Sequence, residues 1–327
     1  MHDHFVTVVP PQMRLGPDWF QGTADAVFQN LNLIRQHKPA LVAVFGADHI
    51  YRMDIRQMID FHLDNDACVT VAARPIPISR GNEFGIIVAD ADGRIRGFEE
   101  KPQKPTPMPG DPDRAYCSMG NYIFNTDVLI EGLIEAQRKK EHDFGANVIP
   151  SLLRRNSRIF AYDFSNNRIP GIMSYEEKGY WRDVGTIRAF WEAHQDMLGE
   201  EPLFETHNEL WPIRPSRNEL PAAKILGGEI INSMIAEGTI IKHAKIINSV
   251  IRRGVIIEDG VEVKDSIIMD HVVLKRGCFL NRTIVDSFNI IEEEVCIGEG
   301  SKKPYWRTYM DQSGIAVVAS EKRTAEL

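Results

Sequence analysis

The chain has 327 residues, enough for two domains of ordinary size, and its 43% hydrophobic and 26% charged composition is that of a soluble globular protein. A formal net charge of -8 argues against nucleic acid as the main partner, no apolar run is long enough to cross a bilayer, and Met1-His2-Asp3-His4 lacks the basic and apolar regions of a signal peptide. Cys68, Cys117, Cys278 and Cys296 form no C-x-x-C pair and sit among apolar residues, so they read as reduced, structural thiols of a cytoplasmic protein.

Phe5-Val6-Thr7-Val8-Val9 reads as a strand stopped by Pro10-Pro11. Thr23 is placed to cap a helix with Asp25 in its first turn and Ala26, Leu31, Leu33 and Ile34 at roughly helical spacing, ending before Pro39. Val42-Ala43-Val44-Phe45 is a buried strand closed by Gly46, with the carboxylate of Asp48 straight after the turn. A helix over 55–65 and a strand over 68–73 complete a strand-helix-strand-helix-strand run, the pattern of a parallel sheet with covering helices. Asp92-Gly93 between apolar runs predicts a hairpin, and 102–112 is a Pro-rich loop. A strand over 119–124, helices over 128–139 and 148–154, a strand over 159–164, and a strand ending at Asp183 before a helix over 187–197 finish one α/β domain, residues 1–199.

Residues 200–224, rich in Pro, Asn and charge, read as a linker. Beyond them the sequence repeats. Asn232-Ser233-Met234-Ile235 recurs at Asn248-Ser249, at Asp265-Ser266 and at Asn281-Arg282-Thr283-Ile284, at intervals of 16, 17 and 16 residues. β-Branched pairs fall between these marks, as at Ile240-Ile241, Ile246-Ile247 and Ile256-Ile257. Three short strands per coil, stacked as a parallel β-helix over 225–318, fit that spacing.

Several residues are candidates for chemistry. Asp48, at the carboxyl end of a strand, either binds Mg2+ or caps the helix that starts near Asp54. Asp183 repeats the layout, and two acids at strand ends of one sheet can share one Mg2+. Trp19-Phe20-Gln21-Gly22-Thr23 leads into a helix N-terminus whose backbone N–H groups can take up a phosphate or a base edge. In Phe98-Glu99-Glu100-Lys101-Pro102, Lys101 suits a phosphate and the neighbouring Glu a sugar hydroxyl, or the run is a solvated face. Ser118-Met119-Gly120-Asn121 brings a hydroxyl and a close backbone to the same cleft or only starts a strand.

In this order, W-F-Q-G-T-A-D-A-V, D-H-I-Y-R-M-D, F-G-I-I, E-E-K-P, S-M-G-N-Y-I-F and Y-W-R-D-V-G-T resemble glucose-1-phosphate adenylyltransferases, the ADP-glucose pyrophosphorylases of bacterial glycogen synthesis. Residues 211–214 and 221–224 match as well, so the resemblance covers essentially the whole chain. It implies a Rossmann-like nucleotidyltransferase domain followed by a left-handed parallel β-helix. It implies ATP and α-D-glucose 1-phosphate as substrates, ADP-glucose and diphosphate as products, and Mg2+ held by Asp48 and Asp183. Lys101 would bind the sugar phosphate, Glu100 and Ser118 the glucose hydroxyls, and Phe20 and Gly85 would line the same site. Gln21, Gly22 and Thr23 would face the nucleotide. A homotetramer controlled by small-molecule effectors is also implied.

The chain departs from the family at Ala47, where many members have Gly, and at Phe20, where many have Tyr. The family's opening Gly-rich loop is absent from the sequence, which is therefore expected to make little ADP-glucose alone. That leaves a non-catalytic or regulatory partner of the same fold as the alternative. A third reading is a β-helix acyltransferase with His243 or His271 as base.

Overall fold

The computed structural model describes residues 6–10, 19–214, 220–301 and 305–320. In chain order the elements before the β-helix are α1 (Thr23–Phe28), α2 (Leu31–His37), β1 (Leu41–Val44), β2 (His49–Tyr51), α3 (Ile55–Asp64), β3 (Val69–Pro77), β4 (Gly85–Ala89), β5 (Ile95–Glu100), β6 (Arg114–Asn125), α4 (Thr126–Lys139), α5 (Ile149–Arg154), β7 (Ile159–Asp163), β8 (Trp181–Asp183) and α6 (Ile187–Gln195). Contacts divide the chain into two compact units. One is Met1–Ala47 with Met53–Arg168, and the other is Asp48–Arg52 with Ile169–Leu327.

The first unit is built on a six-stranded sheet in the order β5-β4-β6-β3-β7, with β1 also on β6. The all-parallel sheet suggested by the alternating elements is not what forms. Only β3 and β7 pair in parallel, and β6 runs antiparallel to β1, β3 and β4. The 12-residue β6 is long enough to carry β3 along one edge and both β1 and β4 along the other. A late strand thus enters between early ones, which local periodicity cannot reveal. One face of the sheet packs Val69, Val71, Tyr122 and Phe124 on Leu129, Leu133, Phe144 and Val148. Leu129, Leu133 and Ala136 recur at helical spacing along α4, and burying each large side chain contributes about 1.5–3 kcal/mol.

Local expectations differ in four places. Residues 6–9 form no strand, and Val6 and Val8 are exposed; Phe5 lies outside the described residues. The single helix predicted from Thr23 breaks into α1 and α2, where Asn30 Nδ2 donates to the Ala26 carbonyl and ends the first turn sequence. Gly22, not Thr23, is the N-cap of α1. Asp48 caps nothing at α3, because Asp54 accepts from the Arg56 N–H at 3.1 Å and fills that position itself.

In the second unit, the repeat becomes coils with three parallel ladders. One ladder runs Met234, Val250, Ile267, Ile284, Val317. Ile241, Ile257, Leu274 and Ile291 form an inward row, each with no exposed surface. The Asn-Ser signature has a physical origin. Asn232, Asn248, Asp265 and Arg282 take positive φ at one corner of successive coils, a conformation Asn and Asp tolerate best. The next residue passes a hydrogen bond up the stack: Ser249 N–H to Ser233 Oγ, Ser266 N–H to Ser249 Oγ and Thr283 N–H to Ser266 Oγ, at 3.0–3.1 Å. The fourth mark is therefore Arg282-Thr283, one residue later than the sequence pattern placed it at Asn281.

The segment read as a linker is packed over its described part. Phe204 is buried against Tyr180, with ring centroids 4.7 Å apart. Asn208 accepts from the Leu210 and Trp211 N–H groups and donates to the Pro170 carbonyl. These contacts group the residues from Ile169 onward with the second unit. Thr186 caps α6 by accepting from the Ala189 N–H. Ile187, Phe190 and Trp191 of that helix lie on Ile267, Ile284 and Ile315 of the coils, and Trp191 Nε1 donates to the Asp265 carbonyl at 2.8 Å.

Candidate functional site

Two groups of the singled-out residues assemble, one in each unit. In the second unit, β2 and β8 form a separate antiparallel ribbon with His49 opposite Asp183 and Tyr51 opposite Trp181. The two acids were expected at strand ends of one parallel sheet; this ribbon is what joins them. The Val184 N–H donates to the Asp48 carbonyl at 3.0 Å and closes the ribbon. Ligand atoms of Asp48, His49 and Asp183 lie within 4.8 Å of one another. Asp48 and Asp183 are exposed, and Asp183 Oδ1 is held by the Gly185 N–H at 2.9 Å. Two carboxylates and an imidazole at such spacing fit a divalent cation.

The ribbon is braced from behind. Arg52 is buried, pairs with the buried Glu176, donates to the Glu205 carbonyl at 2.7 Å and lies 4.3 Å over the Phe204 ring. Arg182 reaches Glu177 and Asp196 at 2.6 and 2.9 Å and covers the Tyr180 ring. Burial raises the Tyr180 phenol, and the neighbouring Asp196 carboxylate raises it further, so it stays a donor to Asp196. Breaking a buried pair such as Arg52–Glu176 costs about 3–5 kcal/mol, because it strands the remaining charge.

In the first unit, Gly85 stands opposite Glu100 in the β4–β5 pairing. Ser118 lies one residue past the Ile86–Cys117 pair of β4 and β6, and opposite Ala73 of β3. Glu100, Gly85 and Ser118 thus form one row across three strands, with Lys101 next to it at positive φ, its N–H on the Phe84 carbonyl. A Cβ at Gly85 would stand 2.6 Å from the Phe98 ring, so glycine is required there. Tyr122 was not singled out from the sequence. Burial pushes its phenol up to about 12 and keeps it protonated; Ser118 hydrogen-bonds to it, and the charges of Asp143 and Glu100 act on it. Its only sequence signal was its place after the S-M-G-N run.

The lead-in to α1 behaves differently from the sequence expectation. The Ala24 and Asp25 N–H groups both donate to the His142 carbonyl, at 2.9 and 3.3 Å. Gln21 N–H donates to Asp25, Thr23 Oγ1 donates to Asp143, and a Cβ at Gly22 would strike the His142 carbonyl at 2.4 Å. These helix N–H groups are therefore committed within the fold and are not open to a phosphate. Half-buried Phe20 directly precedes this segment.

The β-helix histidines have structural places. The His243 ring fills the space over Gly227, and its Nδ1 meets Asp259 at 2.7 Å on the surface. The His271 ring covers Gly254 and stacks on Phe288 with centroids 5.2 Å apart. All four cysteines are free; Cys117 and Cys278 are buried, whereas Cys296 is exposed, not enclosed in apolar surroundings. Among the described residues no helix is long and apolar enough to cross a membrane.

Comparison with known proteins gives one family match on each half of the sequence. The family described as nucleotidyl transferase matches residues 5–200, and the family described as GlmU-like, C-terminal hexapeptide matches residues 221–318. A protein named glucose-1-phosphate adenylyltransferase from Thermodesulfovibrio yellowstonii is 60% identical over 98% of this chain and 78% of its own length. Proteins of the same name from Anaeromyxobacter sp. and Frankia casuarinae are 40% and 41% identical, covering 98% and 96% of this chain and 80% and 78% of their own.

Proposed function

The chain belongs to the glucose-1-phosphate adenylyltransferase family, and we propose that it transfers the adenylyl group of ATP to α-D-glucose 1-phosphate, forming ADP-glucose and diphosphate for glycogen synthesis. The observation that carries this reading is the convergence of Asp48 and Asp183, which lie far apart in sequence, on one ribbon. These carboxylates would hold Mg2+, which supplies charge neutralisation to the phosphates when bound. Lys101 takes the sugar phosphate as a point charge, and Glu100 and Ser118 bond the glucose hydroxyls beside the close backbone of Gly85. Phe20 lines the sugar-phosphate side. Gln21, Gly22 and Thr23 serve the nucleotide through shape and side chains, since the helix N–H groups behind them are engaged. The attacking group is already a phosphate anion and needs no general base; catalysis rests on positioning and on neutralising two polyanions.

The working form is a cytoplasmic homotetramer under small-molecule control, in keeping with an ATP-consuming reaction at the head of a biosynthetic route. A non-catalytic role is not favoured, given 60% identity to a protein named as the enzyme. Assay of diphosphate release tests the reading. Asp48→Asn and Asp183→Asn are each expected to lower turnover about 100-fold or more with the circular dichroism spectrum unchanged. Near-normal turnover in Asp48→Asn would remove it from the metal site.

A further inference from the structure

We propose that His49 is the third protein ligand of the cation held by Asp48 and Asp183, which makes the site one of mixed nitrogen and oxygen donors that binds Mn2+ or Co2+ more tightly than Mg2+. The inference rests on the reading of the two aspartates given above and extends it to a residue that reading does not use.

Three observations carry it. The first is direction. His49 Nε2 lies 3.6 Å from Asp48 Oδ1, and the three residues offer ligand atoms within 4.8 Å of one another. A separation of 3.6 Å is long for an N–H···O hydrogen bond, which centres near 2.9–3.0 Å. It is close to what a shared ion imposes: two atoms each about 2.1 Å from one cation stand about 3.0 Å apart at a right angle and about 3.4 Å apart at a tetrahedral one.

The second is restraint. The imidazole is fixed by its pairing opposite Asp183 and by the Trp181 ring, whose centroid is 5.0 Å away. Only 13% of the side chain is exposed. The ring therefore arrives at the carboxylates already ordered, as a ligand must.

The third is which nitrogen faces the acids. His49 Nδ1 is buried, and Nε2, 3.6 Å from Asp48 Oδ1, is the ring nitrogen turned toward the carboxylates and placed to bond a cation. Imidazole favours first-row transition ions, whereas Mg2+ prefers oxygen donors and its own water, so the added nitrogen sets the order of affinities.

The test uses the full chain without nucleotide and Mn2+ as the probe. Mn2+ binding is titrated by electron paramagnetic resonance, and the bound ion is examined by electron spin-echo envelope modulation, which detects a directly bonded imidazole nitrogen. The wild type is expected to show that nitrogen modulation. His49→Gln is expected to lose it and to bind Mn2+ on the order of tenfold more weakly, with Mg2+ competition changed much less. Absence of the modulation from wild-type protein, or its persistence in His49→Gln, overturns the proposal; the wild-type spectrum decides the matter even if the variant misfolds. Asp48→Asn separates the two levels. If it abolishes Mn2+ binding while wild-type modulation is absent, only the role of His49 falls. If it leaves Mn2+ binding intact, or if the wild type binds none, the two-aspartate site falls and His49 with it.

Discussion

Individual residues divide into those whose chemistry was plain and those whose place had to be seen. Asp48 and Asp183 stood out because each repeats the layout of a strand followed by an acid and then a helix. The capping use left for Asp48 is taken by Asp54. Lys101 shows the other case. Its charge was visible, but its positive φ of 44° beside the Glu100–Gly85–Ser118 row was not. Lys and Ala both carry a Cβ, so Lys101→Ala leaves that backbone strain unchanged and removes only the ammonium group. A lost charge-assisted contact of about 1.5–3 kcal/mol is expected to raise the KM for glucose 1-phosphate about 10- to 100-fold, with the KM for ATP little altered. Equal rises for both substrates in steady-state assays would move Lys101 out of the sugar-phosphate site. His49 was overlooked because a histidine beside a tryptophan in the folded ribbon is just an ordinary polar residue in the run Asp48-His49-Ile50-Tyr51.

At the scale of elements, polar residues in the core tie helices to strands. His62 of α3 is buried, with Nδ1 2.8 Å from Thr70 Oγ1 of β3 and Nε2 3.2 Å from Asn125 Oδ1 of β6. Desolvation holds its pKa below the ordinary 6.5, only partly opposed by the Asn125 bond. Above pH 6.5 neither the folded nor the unfolded chain is protonated at this residue, so it adds no pH dependence. Below it the unfolded chain takes up the proton first, and stability falls with pH until the folded pKa is reached. His62→Gln keeps a donor and an acceptor but cannot titrate. Thermal unfolding midpoints measured from about pH 7.5 to about pH 5.5 should therefore fall less steeply in His62→Gln than in the wild type. His194, also held down by burial, contributes to both proteins and cancels in the difference. Identical slopes would mean that His62 is not protonated on unfolding. The β-helix is the opposite kind of element, held by repetition: Ser233, Ser249 and Ser266 each accept from the coil that follows, so no one rung is decisive.

For the whole molecule, one side of the coils carries an outward row of Ile240, Ile256 and Ile290, 38%, 37% and 49% exposed and in register. Alternating charges run alongside, with Lys242 near Glu258 and Lys275 paired with Glu292. Such a row supports self-association, and light scattering at micromolar concentration is expected to give a mass of about four chains. A single-chain mass with the β-helix intact would contradict the tetramer. The sequence alone determined the two classes of architecture, because helical spacing and a 16- or 17-residue repeat are local properties of a chain that must bury one face per turn or per coil. The repeat marks fall on coil corners at Asn232, Asn248 and Asp265, residues that accept positive φ, whereas the fourth corner is Arg282 and only the structure places it. Strand order was left to the tertiary structure: β6 enters between β1 and β3 through pairings as distant in sequence as Leu41 with Asn125 and Val69 with Phe124, and nothing local encodes that choice. The same holds for the ribbon. Asp48 and Asp183 are separated by most of the first unit's chain, and they meet because a three-residue pairing, braced by Arg52 and Arg182, brings distant backbone together.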